Sequence, residues 1–239
     1  MGSRIGLLMV GHVDPKSVHV AGDYPELFAD LLAGRDVELV RYDLDVGRFP
    51  DSVSECEGWL CGPSRNSAYD DLPWRPDAEG LLREIIATET PYVGICFGHQ
   101  LLAQALGARV ERAADGWQVG ARDYEIVEPP SWMDPTAQQI TLIASHEDQV
   151  IELPSDATLL ARGADGGCPV AGFTVGPRAW TLQPHPELIP RLADDLLAGR
   201  VELIGADRVE MARASLVRPL DRPLVAGWIA RFFAERTDS

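Results

Sequence analysis

The sequence predicts an α/β fold with an open, mostly parallel central sheet, flanking helices and a small antiparallel sheet. Three observations predict it. Through the first half, short apolar runs alternate with segments whose apolar residues recur at helical spacing, the pattern of a parallel sheet covered by helices. In the second half, short strand candidates follow one another with turns between them. Hydrophobic residues make up 46% of the 239-residue chain and charged residues 24%, enough apolar material for a core without disulfide staples.

Residues 4–10 (RIGLLMV) are a continuous apolar run closed by Gly11 and read as a buried parallel strand. Residues 24–32 carry apolar side chains at helical spacing, and Gly34 fits the stop. Residues 37–42 read as a second strand and 58–61 (GWLC) as a third, followed by a loop rich in Gly, Pro, Ser and Asn. Residues 77–88 predict a helix with Leu81, Leu82, Ile85 and Ile86 on one face. Residues 91–95 (PYVGI) are a further short strand, and 98–106 a helix capped by Gly107. Segments 119–127, 139–144, 157–161, 170–175 and 179–182 are the later strand candidates. Two helices then close the chain, 190–197 and 223–235. Val225, Trp228, Ile229, Phe232 and Phe233 of the second fall at helical spacing and read as core packing rather than a cofactor box. No repeat, linker or low-complexity segment intervenes, so one domain spanning 1–239 is expected.

The net charge of −16, from 37 acidic against 21 basic residues, repels phosphate backbones and anionic lipid. Lys16 is the sole lysine, and no basic cluster overrides that field, so neither nucleic acid nor membrane is an expected partner. No apolar stretch approaches the ~20 residues of a membrane span. The first residues lack the h-region and cleavage pattern of a signal peptide. Cys56, Cys61, Cys96 and Cys168 contain no C-x-x-C pair, so a zinc knuckle or thioredoxin-like motif has no support. The expected setting is a reducing cytoplasm, where a reactive thiol survives.

Cys96 stands at a strand-to-helix junction, in Gly94-Ile-Cys96-Phe-Gly98. This is the G-x-nucleophile-x-G elbow with Cys in place of Ser. The glycines permit a turn in which a Cβ would clash, and the turn projects the thiol from the carboxyl end of the sheet. A helix start also favours the thiolate through its unpaired N–H groups and partial positive charge. The alternative is a buried, inert cysteine.

A nucleophilic thiol needs a base, and the base needs orienting. Of five histidines, His12 and His19 follow the first strand as loop histidines, and His99 is directed along its helix. His146 and His185 remain. His185 ends a strand in Leu182-Gln-Pro-His185-Pro-Glu187, where Glu187 can accept the imidazole N–H and favour the imidazolium. The alternative is a loop histidine beside a surface glutamate.

Taken together, these segments resemble the class I (triad) glutamine amidotransferases. The matching pieces are GICFGHQLLAQALGARV at 94–110, with the family's G-x-C-x-G-x-Q, and QPHPE at 183–187, similar to its Q-x-H-P-E. SHEDQV at 145–150 and CGPSRNSAYDDLPW at 61–74 look like segments of the branch that resembles the GMP-synthetase glutaminase. GWQVG at 116–120 resembles a segment of its stand-alone members, and the likeness covers about positions 4 to 190 in order. Two departures stand out: Pro63, Ser64 and Arg65 lengthen the turn after Gly62, and Pro184 replaces the aromatic residue often found before the histidine.

The resemblance implies a flavodoxin-like fold and a triad of Cys96, His185 and Glu187. It implies an oxyanion hole from the backbone N–H groups of Gly62 and Phe97, and substrate contacts from Gln100 and His146. It implies hydrolysis of the γ-glutamyl amide of glutamine, or of a related γ-glutamyl compound, through a γ-glutamyl thioester. That chemistry calls for no metal and no organic cofactor. Three expectations follow. The chain is a glutaminase that hands ammonia to a separate synthetase subunit, a self-contained γ-glutamyl peptidase or hydrolase, or a catalytically silent binding or regulatory protein. No motif fixes an oligomeric state.

Overall fold

The computed structural model describes residues 2–237. Its strands, in chain order, are β1 (Ser3–Met9), β2 (Val37–Asp43), β3 (Gly58–Cys61), β4 (Tyr92–Ile95), β5 (Val110–Arg112), β6 (Gln118–Ile126), β7 (Gln139–His146), β8 (Asp148–Val150), β9 (Ala157–Gly163), β10 (Gly172–Val175) and β11 (Ala179–Leu182). Its helices are α1 (Val18–Ala21), α2 (Tyr24–Leu31), α3 (Arg75–Ala87), α4 (Phe97–Ala105), α5 (Pro190–Ala198), α6 (Val201–Ile204), α7 (Ala206–Ser215) and α8 (Arg222–Thr237). Nine strands form one sheet in the order β2-β1-β3-β4-β11-β10-β9-β6-β7, and β5 pairs with β8 in a small antiparallel sheet. The strands from β2 to β11 run parallel. Beyond β11 the neighbours are antiparallel.

Strands β3, β4, β11 and most of β1 are buried on both faces, which is why they read as unbroken apolar runs, whereas β2 at the sheet edge is mostly half-buried. Ile5, Leu7 and Met9 of β1 join the core under α2, α5 and α8, whereas Leu8 and Val10 join the core under α3 and α4. Alternate side chains therefore serve opposite layers. Helix α2 starts at a capping box, with Asp23 and Glu26 accepting reciprocally from the backbone and Pro25 in the first turn. The apolar stripe of α8 is core, as its spacing predicts: Val225, Trp228, Ile229, Phe232 and Phe233 are all buried. Trp132 meets Trp180 and Phe232 at ring-centroid distances of 4.9 and 5.2 Å.

The region after β11 corrects the expectation of two closing helices, since α6 and α7 lie between α5 and α8. Helix α7 buries only Val209 and Ala212, too little apolar periodicity to announce a helix. No helix among the described residues is long and apolar enough to cross a membrane.

The chain passes from β1 to β2 on one side and returns to β3 on the other. Open α/β sheets bind ligands at the carboxyl ends of strands beside such a reversal. The end of β4 carries Cys96, and the end of β11 leads to His185.

Candidate active site

Cys96 joins β4 to α4 at φ 52° and ψ −100°. A side chain at positive φ costs about 1–3 kcal/mol, so the surrounding structure must hold it there. The Cys96 N–H donates to Leu182 O on β11 at 2.8 Å, and its carbonyl accepts from the Gln100 N–H at 3.0 Å. The flanking glycines are required by close approach. A Cβ on Gly94 would lie 2.7 Å from Gly98 O, and one on Gly98 would lie 2.4 Å from Cys61 O. Both obstacles are backbone, which cannot swing aside. Gly98→Ala must therefore lift α4 from β3. Overpacking of that kind costs about 1–3 kcal/mol, a fall in Tm of about 2–12 °C measurable by thermal unfolding.

His185 is fixed from both sides. Its N–H donates to Ile143 O on β7 at 2.8 Å, and its Nδ1–H donates to Glu187 Oε1 at 2.7 Å. The two side chains are 4% and 0% exposed, so their charges face little water. Burial pulls the His185 pKa down, but the charges of Cys96 and Glu187 outweigh it and push it up to about 10. Nε2 has no aligned partner among the described residues, which leaves the imidazole edge toward the thiol open. A buried thiol, an imidazole and a carboxylate in this order can form a thiolate–imidazolium pair.

Gln100 and His146 reach the same place. Gln100 Nε2 donates to Asp148 O at 2.8 Å and to Gln183 Oε1 at 3.0 Å. His146 Nδ1–H donates to Asp148 O at 2.9 Å, so Nε2 carries a lone pair, and that atom is buried without a hydrogen-bond partner among the described residues. Burial, with a contribution from the charge of His185, drives the His146 pKa down to about 3. The ring is therefore neutral and offers an acceptor. Asp148 also accepts from Ser67 Oγ at 2.5 Å and from the Tyr69 hydroxyl at 2.8 Å, which ties the loop after β3 to β8.

The oxyanion donors expected from the sequence differ in their state. The Phe97 N–H, first in α4, has no hydrogen-bond partner among the described residues. The Gly62 N–H instead donates to Leu8 O at 3.3 Å, because the β1–β3 ladder runs one residue past Cys61. The remaining histidines lie apart. His99 is buried with Nδ1 on Thr181 Oγ1 at 2.8 Å, and His12 lies between Asp23 and Asp45.

A cavity of about 430 Å³ joins Cys96, His185, Gln100 and His146. Residues to which the sequence reading gave no role surround the thiol. Gln183, fully buried behind it, donates from Nε2 to Cys96 Sγ at 3.6 Å. The place of Gln183, two residues before His185 on the same strand end, was the available signal. Trp117 and Arg200 line the cavity itself. A second cavity of about 680 Å³, between β6 and α7, contains neither Cys96 nor His185, and its Arg122 is paired with Asp165 at 2.9 Å.

Known proteins agree with this architecture. Residues 31–200 match the sequence profile of the family described as glutamine amidotransferase class-I. Gamma-glutamyl peptidase 3 of Arabidopsis thaliana is 29% identical over 149 residues, 59% of each chain. The glutamine-hydrolyzing GMP synthase of Aeropyrum pernix is 33% identical over 188 residues, 78% of this chain and 36% of that one. The fold matches a crystal structure of a glutamine amidotransferase from Thermotoga maritima with a TM-score of 0.77 and 21% identity, covering 100% of both chains. With a family match over more than half its length, the chain belongs to the class-I glutamine amidotransferase family.

Proposed function

We propose that the protein hydrolyses γ-glutamyl amides with Cys96 as nucleophile, His185 as acid and base, and Glu187 as the group that orients and charges His185. The observation that carries this is the strained cysteine at the carboxyl end of the sheet, electrostatically coupled to the buried His185–Glu187 pair. Thiolate attack on the amide carbonyl forms a tetrahedral oxyanion, received by the free Phe97 N–H. Gly62 joins as a second donor when its long bond to Leu8 O opens. His185 protonates the leaving nitrogen, a γ-glutamyl thioester remains on Cys96, and water activated by His185 releases glutamate. Neutral His146 accepts from an N–H of the glutamyl group. Gln100 holds Gln183, which in turn steadies the thiolate.

Two destinations of the nitrogen have support. Similarity to gamma-glutamyl peptidases supports release of the amine to water, and similarity to a GMP synthase supports delivery of ammonia to a synthetase partner. Free, buried cysteines fit a reducing cytoplasm.

Glutamate release from glutamine and a panel of γ-glutamyl amides tests the proposal. We expect release that fades as pH rises through about 10, where His185 loses the proton it must donate. The sign for stability is the same. The raised pKa makes a contribution fully present below about pH 6.5 and lost as pH rises through about 10. Release of glutamate from none of these compounds would count against the function.

A further inference from the structure

Three arginines line the cavity that holds Cys96, and two of them are paired. Arg65 reaches Asp14 at 3.4 Å, and Arg112 reaches Glu147 at 3.6 Å. Arg200 makes no salt bridge among the described residues. Its Nη1 donates to Ser145 Oγ at 3.2 Å, and its guanidinium carbon lies 6.0 Å from the centroid of the Trp117 ring. A guanidinium has five donors in a planar fork, so most of this one's hydrogen-bonding capacity faces the cavity or water. Arg200 is half-buried, and burial pulls its pKa below the ordinary arginine value, with only partial compensation from Tyr24 and Asp14.

The position of Arg200 assigns it to one half of the substrate. Ser145, its hydrogen-bond partner, is two residues beyond Ile143 on β7, and Ile143 is the residue that bridges to His185. Arg200 is thereby tied to the strand that holds His185, the group that gives the leaving nitrogen its proton.

We propose that Arg200, stacked on Trp117 and held by Ser145, is a carboxylate subsite for the leaving amine, so that the preferred substrates are γ-glutamyl amino acids or peptides rather than glutamine. This rests on the amidase reading above. In the step concerned, the C–N bond breaks, the proton of His185 goes to the nitrogen, and the departing amine carries its carboxylate out along Arg200.

The test compares γ-glutamylglycine with γ-glutamylethylamide, which replaces the glycine carboxylate by a methyl group. Glutamate release gives kcat/KM for each with the wild type, Arg200→Met and Arg200→Lys. Methionine keeps length and packing on Trp117 but no charge. The ratio of the two constants is taken within one preparation, so the active fraction cancels. We expect the wild type to favour γ-glutamylglycine, and Arg200→Met to reduce that ratio by about ten- to a hundredfold, the worth of a hydrogen bond to a charged group. Arg200→Lys, with charge but no fork, should hold an intermediate ratio. A ratio unchanged by both substitutions, including an equal loss on both substrates, overturns the subsite while leaving the amidase intact. Cleavage of neither compound by a wild type that still hydrolyses glutamine overturns the subsite alone, and glutamate release from none of the three overturns the amidase reading with it.

Discussion

Cys96→Ala is expected to lower kcat/KM for γ-glutamyl amide hydrolysis by about 10⁴-fold or more, because removal of a nucleophile leaves only what binding and oxyanion contacts supply. No other cysteine can substitute. Burial pushes Cys61 and Cys168 each up to about 12, and burial also raises Cys56, so all three remain thiols at neutral pH. Cys96→Gly separates strain from chemistry. Alanine keeps a Cβ at φ 52°, and glycine does not. The glycine variant should be more stable than the alanine variant by about 1–2 kcal/mol, or about 2–8 °C in Tm, while equally inactive. Assays of hydrolysis and thermal melts of the same three preparations check both statements. A glycine variant melting below the alanine variant would show that the elbow is unstrained.

Glu187→Gln has the second largest expected effect. Glu187 is fully buried, and its Oε1 accepts the His185 Nδ1–H at 2.7 Å. An amide in its place keeps the volume but removes the charge and can present an N–H to the imidazole, which then adopts the wrong tautomer. We expect kcat to fall by about 10²–10⁴-fold. The pH profile should move in a stated direction. Glu187 is one of the charges that raise His185 to about 10, so its loss lowers the pH at which activity fades. A merely structural role would reduce the amount of active protein without moving that limb. Titrating kcat/KM for the variant and the wild type decides between them.

Much of the fold was legible because it depends on local rules. Strand β3 has its sequence-predicted bounds, Gly58–Cys61, and β1, β4, α2 and α4 begin or end within a residue of theirs, since unbroken apolar runs and glycine stops mark them directly. Strands β5 and β8, three residues each, were not legible: their pairing is set where Val110 meets Val150 across the fold. Helix α7 was missed for the same reason, as only Val209 and Ala212 turn inward. For the site, the sequence reading singled out Cys96, His185 and Glu187, and the structure brings them to one buried place. Gly62 shows where the reading stopped short. Whether its N–H faces the cavity depends on the register of β1 against β3, which no motif encodes. Arg200 was invisible among the arginines of the chain, because what distinguishes it is its place in the cavity beside Trp117 rather than its neighbours in sequence.

The most direct measurement is the intact mass of the protein, acid-quenched during turnover of a γ-glutamyl amide, followed by peptide mapping. The account predicts one γ-glutamyl group, on the peptide containing Cys96, absent from Cys96→Ala and absent from the peptides of Cys56, Cys61 and Cys168. Glutamate release by a protein that carries the group on another residue, or that turns over at the wild-type rate without Cys96, would contradict it.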